Sequence, residues 1–116
     1  MRKMDEVPEK IKAALKNIPG IQYAFIYNSF MQDTKDRDGE VDIMVLGGPD
    51  LVEMDDVITS VEKKLERPCL ITSFTIREVQ QRIRLKDEAI LETLQLSKIM
   101  LIGNEGEMKT TLFAEF

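Results

Sequence analysis

Four short runs rich in apolar, β-branched and aromatic residues interrupt a chain whose other apolar residues fall at helical spacing, and this interleaving narrows the fold more than any other feature. The runs are IQYAFIY (21–27), EVDIMVLG (40–47), CLITSF (69–74) and KIMLIG (98–103). Each is too short for an ordinary helix and reads as a strand. Before the first run, Val7, Ile11, Leu15 and Ile18 are spaced by four, four and three, the stripe of a helix lying on a core. Pro8 is expected in its first turn, and IPG ends it. Asp50 can cap a second helix in which Met54, Val57, Ile58, Val61 and Leu65 follow the 3.6 period. Thr75 and Glu78 form a capping-box pattern ahead of Ile76, Val79 and Ile83, and a further helix spans about Asp87 to Leu96.

The order is therefore helix, strand, strand, helix, strand, helix, helix, strand. Residues 28–39 link the first two strands, and a full helix precedes the third. This predicts an α/β fold of the α+β type: a small mixed β-sheet of about four strands flanked by helices, rather than a doubly wound parallel one. A chain of 116 residues suits one domain with a real core. We place it at 1–103, with 104–116 as a C-terminal tail whose Leu112, Phe113 and Phe116 offer a means of docking back.

Composition removes whole classes of chemistry. The chain has no histidine, which excludes Ser-His and Cys-His machinery, and its single cysteine, Cys69, excludes an intrachain disulfide and the usual zinc sites. In RPCLITSF, Cys69 reads as a small core residue. A net charge of −5 argues against a general electrostatic footprint for nucleic acid. Lys63, Lys64 and Arg67, and later Arg77, Arg82, Arg84 and Lys86, read as solvated helical faces. No apolar run approaches a membrane span, and MRKMDEVPEK lacks the apolar core of a signal peptide, so the expected location is cytoplasmic.

Short motifs narrow the field further. No glycine-rich phosphate loop occurs, and LGGPD and IGNEG are more simply strand terminators. The acidic segment DRDGE invites comparison with a calcium loop, but aligning on Gly39 puts Thr34 at the first position and Val45 at the last, so the match fails at both ends. What remains is Glu40-Val41-Asp42. In a strand, residues two apart point to one face, so Glu40 and Asp42 would project side by side. Paired carboxylates repel unless a cation lies between them, and Mg²⁺ or Mn²⁺ suits one or two carboxylates completed by phosphates and water. The bland alternative is two acids on a wet face. Upstream, Tyr27-Asn28-Ser29-Phe30 follows a buried strand directly. A turn there would aim backbone N–H groups and the Ser29 hydroxyl at a phosphate.

These residues resemble the motif of the DNA polymerase β-like nucleotidyltransferases, and particularly their minimal members: Gly-Ser, ten residues, then Asp-x-Asp. Here Ser29 is followed by Phe30 to Gly39 and then Glu40-Val41-Asp42, with AFIYNSF and GEVDIMVLG similar to the flanking strands of the family. The similarity runs from about Ile21 to Gly103. It implies a nucleotidyltransferase-like fold in which Asn28 and Ser29 bind the phosphates of a nucleoside triphosphate. Glu40 and Asp42 would then be the catalytic carboxylates, holding Mg²⁺ (or Mn²⁺) while a nucleoside monophosphate passes to an acceptor. Three departures are visible: Asn28 for glycine, Glu40 for the first aspartate, and no third carboxylate in CLITSF, where Thr72 and Ser73 are the nearest polar groups. The alternative is a catalytically inactive binding or regulatory module, antitoxin-like, acting through a helical or winged-helix protein partner. Self-association into a homo-oligomer stays open.

Overall fold

The computed structural model describes residues 3–27 and 40–114, with side chains from Val7 onward. Its frame is a four-stranded sheet, comprising β1 (Ile21–Tyr27), β2 (Val41–Gly47), β3 (Cys69–Phe74) and β4 (Lys98–Ile102), in the order β3-β2-β1-β4. β1 runs antiparallel to β2 and to β4, whereas β2 and β3 are parallel. The sheet is mixed, as the element order predicts. The parallel pair is the one joined through a helix, because a tight turn can connect only antiparallel neighbours.

Five helices are described: α1 (Lys3–Leu15), α2 (Leu51–Leu65), α3 (Ile76–Arg84), α4 (Glu88–Gln95) and α5 (Glu105–Leu112). Strand alternation sorts them onto two faces. Val41, Ile43 and Val45 of β2 join one core with Ile11 and Leu15 of α1 and Ile58 of α2. Met44 and Leu46 join the other with Phe25 of β1, Val79 of α3, Leu94 of α4 and Met108 of α5. Burial of β2 on both faces explains why its sequence is a nearly unbroken apolar run and not an alternating one.

Local chemistry fixes the helix ends. Asp50 accepts from Val52 N and Glu53 N at 2.9 and 3.0 Å, and Thr75 and Glu78 close a reciprocal capping box at 3.0 and 2.8 Å, as their spacing predicts. Pro8 departs from expectation. The helix starts at Lys3, so Pro8 lies inside it and not in its first turn, supplying no N–H to the backbone ladder. The turn into β1 needs Gly20, whose φ of +93° falls in the glycine region and where a Cβ would come within 2.6 Å of Gly48 O.

The tail contains a helix that the strand and helix patterns did not announce. Asn104 caps α5, accepting from Glu107 N at 3.0 Å, and Met108 and Leu112, four apart, are buried. Leu112 thus docks as expected, Phe113 stays half exposed, and Phe116 lies outside the described residues. No helix among the described residues is long and apolar enough to cross a membrane.

Candidate functional site

The sheet register sets one row of side chains across the end where β1 leaves and β2 enters. Leu70 of β3 stands opposite Asp42 of β2, Asp42 opposite Tyr27 of β1, and Tyr27 opposite Lys98 of β4. Alternation puts this row on the face of Met44 and Leu46, covered by α3, α4 and α5. The next row on that face is Thr72, Met44, Phe25 and Met100. Asp42 is therefore a carboxylate at the rim of an apolar core, and only 8% of it is exposed.

Glu40 differs from expectation in detail. The strand opens at Val41, whose N–H is held by Pro68 O at 2.9 Å, and Glu40 is the exposed residue leading into it. Asn28 and Ser29, the expected phosphate holders, lie outside the described residues. Tyr27, immediately before them, does not. Its pKa is raised, chiefly by burial, with the Thr72 side chain opposing the rise and the Asp42 charge adding to it. At neutral pH this phenol is a neutral hydrogen-bonding group.

Of the two polar groups in CLITSF, Thr72 shares the face of Asp42, and Ser73, opposite Val45, belongs to the other. Directly beside Asp42, the β3 position is Leu70, which is 49% exposed. Cys69, one residue earlier, packs against the core formed with α1 and α2. Its thiol is pushed up to about 11, first by burial and then by the Glu62 carboxylate, against the opposing pull of Arg67. This agrees with the core reading.

Lys98, which no motif singles out, carries the one cation of the row. Its Nζ donates to Leu94 O at 2.9 Å, Leu96 O at 2.7 Å and Glu105 Oε2 at 3.1 Å, and it lies 5.5 Å from the Phe25 ring centre. Three acceptors occupy all three of its donors, so it ties α4, β4 and α5 together. A charged residue opening an otherwise apolar run, KIMLI, is the signal that could have marked it. The basic residues Lys63, Lys64, Arg77, Arg82, Arg84 and Lys86 are exposed, as expected of solvated helical faces, whereas Arg67 departs from that expectation and is half-buried.

Among the described residues no group of three or more His, Cys, Asp or Glu side chains could hold a metal. Glu40 and Asp42 offer carboxylate oxygens alone, with no thiolate aimed at them and no imidazole in the chain. Hard donors of this kind fit Mg²⁺ or Mn²⁺, which complete their shells with phosphate oxygens and water, and do not fit zinc.

The whole arrangement of sheet and helices recurs in solved structures. A complex of the MntA–HepT toxin–antitoxin pair, carrying two Asp-to-Glu changes, matches at 19% identity with a TM-score of 0.61, covering 90% of this chain and 80% of its own. A toxin–antitoxin structure with AMP-PNP matches at 19% identity and 0.60 over the same shares. The chain has the fold of the minimal nucleotidyltransferases. A third match, the tri-AMPylated Shewanella oneidensis HEPN toxin in complex with the MNT antitoxin, has 16% identity and a TM-score of 0.60, covering 94% of this chain and 80% of the other. No protein-family model and no curated protein matches the sequence. The fold is thus shared with little sequence in common.

Proposed function

We propose that this chain is a metal-dependent nucleotidyltransferase that moves a nucleoside monophosphate from a nucleoside triphosphate to an acceptor on a partner protein. The observation that carries the reading is Asp42: a nearly buried carboxylate at the second position of β2, in a fold whose solved examples include one with AMP-PNP. A carboxylate beside an apolar core stays charged at a cost that charge or hydrogen bonds must offset, and a divalent cation carried by the nucleotide would add to that stabilisation. Glu40 and Asp42 would hold Mg²⁺ or Mn²⁺, and Asn28 and Ser29 the phosphates. Bound there, such an ion would supply charge neutralisation for the phosphate under attack and for the leaving pyrophosphate.

The chain's own contribution is positioning. β2, packed on both faces, holds the Asp42 backbone rigidly. Leu70 stands beside Asp42 where a third carboxylate would come from the neighbouring strand, so the acceptor finds no base on β3. An acceptor with an acidic hydroxyl, presented by a protein, meets this condition best. Helical or winged-helix partners suit the role, and the solved neighbours are toxin–antitoxin complexes.

A second reading is favoured by the same Leu70: an antitoxin-like module that binds its partner without chemistry. One experiment separates the two. The protein is incubated with Mn²⁺ and each labelled triphosphate, with and without the protein encoded beside it. Label transfer or pyrophosphate release that disappears in Asp42→Asn supports the first reading. No turnover, with a partner complex that survives Asp42→Asn, supports the second.

A further inference from the structure

β3 is an edge strand of the sheet, and its backbone is only partly used. Val41 N donates to Pro68 O at 2.9 Å, and with Val41 in register with Cys69 the parallel pairing fixes the alternation. Leu70, Thr72 and Phe74 turn their N–H and C=O groups toward β2, and Cys69, Ile71 and Ser73 turn theirs outward. The N–H groups at the two ends of this outer edge are taken. Cys69 N donates to Glu62 Oε2 of α2 at 2.7 Å, and Thr75 N donates to Glu78 Oε1 at 2.8 Å. Between them, Ile71 and Ser73 have no backbone partner on that side among the described residues. Sheet edges are normally guarded by a charge, a proline or a bulge, and CLITSF contains no charged residue and no proline.

We propose that β3 pairs antiparallel with β3 of a second copy across a two-fold axis, joining two sheets into one. The groups already in use determine the register. Pairing Ile71 with its own counterpart would set Ser73 opposite Cys69, whose N–H is held by Glu62. Pairing Ser73 with its own counterpart would set Ile71 opposite Thr75, whose N–H closes the capping box. Ile71 opposite the second copy's Ser73 avoids both conflicts, and each then exchanges both backbone bonds with the other chain. Thr72 falls on the axis opposite the second copy's Thr72, an uncharged cross-strand pair of a favourable kind. Leu70, 49% exposed, falls opposite the second copy's Phe74, which covers it. The open groups of one edge thus satisfy those of an identical edge, as an isologous contact requires, and this self-complementarity favours a second copy over a foreign strand. Leu70 is in register with Asp42, so the contact runs along the rim of the candidate site.

Sedimentation velocity on the unmodified protein, from micromolar to millimolar concentration, should show a monomer–dimer equilibrium. Ser73→Pro removes an outward N–H and leaves the ladder to β2 intact. It should keep the fold, checked by circular dichroism, and weaken the dimer about tenfold or more, since each copy loses a hydrogen bond. Thr72→Lys keeps every backbone donor but sets two like charges opposite each other on the axis. It should weaken the dimer as well, and it decides the matter if Ser73→Pro fails to fold. Disulfide trapping in a Cys69→Ser background reads the register. Thr72→Cys meets its own counterpart in a non-hydrogen-bonded pair with Cα atoms about 4.5 Å apart and should cross-link on mild oxidation, whereas Ser73→Cys, opposite Ile71, should cross-link far less. A protein that stays monomeric throughout, or a dimer that both Ser73→Pro and Thr72→Lys leave unchanged, would overturn the proposal. Preferential cross-linking through Ser73→Cys would overturn it too, because the register argued from the occupied N–H groups would be wrong.

Discussion

Lys98 donates from Nζ to Glu105 Oε2 at 3.1 Å with 1% of its side chain exposed, while Glu105 is 41% exposed. The pair is lopsided, and the two partners carry different consequences. Lys98→Met would leave the carbonyls of Leu94 and Leu96 without their donor, and we expect a loss of about 2–3 kcal/mol in urea unfolding. Glu105→Gln, half in solvent, should cost about 1 kcal/mol or less. The Glu105 carboxyl is held below its ordinary 4.5 by the hydrogen bond from Lys98 first and that from Lys109 next. A depressed carboxyl stabilises the fold above its ordinary value and loses that stabilisation as pH falls through the folded value. Stability should therefore decline below about pH 4.5, and Glu105→Gln should decline less steeply there. Equal acid profiles would contradict this.

Glu40 is exposed and leads into β2, so replacing it should hardly touch the fold. Glu40→Asp shortens the side chain by one methylene and reproduces the spacing of the Asp-x-Asp motif. For an ion that demands near-ideal octahedral geometry, we expect tighter Mn²⁺ binding and faster nucleotidyl transfer, both by several fold. Calorimetric titration with Mn²⁺ decides it. Weaker binding would show that the longer glutamate is fitted to this site.

Met108 has no exposed surface and belongs to the core beneath α3 and α4. Met108→Ala should cost about 2–4 kcal/mol, visible as a lower denaturation midpoint with unchanged slope. A loss under 1 kcal/mol would mean that α5 lies loosely on the sheet.

The Cys69 thiol, pushed up to about 11, is protonated at physiological pH, and only the thiolate attacks alkylating reagents. Iodoacetamide should modify the native protein slowly near pH 7.5, with a rate rising about tenfold per pH unit toward pH 11. A plateau near pH 8.5 would show a thiol unaffected by Glu62 and by burial.

Much of this fold could be read before any coordinates, because its signals are local. The Thr75–Glu78 box and the Asp50 cap name their helices by chemistry that needs no distant partner. The apolar runs give the strands, and the loop and crossover lengths give a mixed sheet. What stayed hidden is tertiary. Asn104 is an N-cap with acids behind it, but α5 has so few apolar residues that Met108 and Leu112 alone cannot announce a period. Whether Thr72 or Ser73 faces Asp42 depends on the register of β3, which no local pattern states. The row that sets Tyr27 opposite Asp42 needs the order of the strands as well. Glu40 and Asp42 were legible as a candidate site because their spacing from Ser29 can be counted along the chain.

Burial of β2 on both faces has a consequence for how such a protein can change over generations. Val41, Ile43 and Val45 pin one side of the strand and Met44 and Leu46 the other, so a slip by one residue would ruin two cores at once. The place of Asp42 is thereby guarded by the residues of two cores rather than by its own interactions. Selection on folding alone will preserve that address even if activity is idle, and the side chains around it are free to drift.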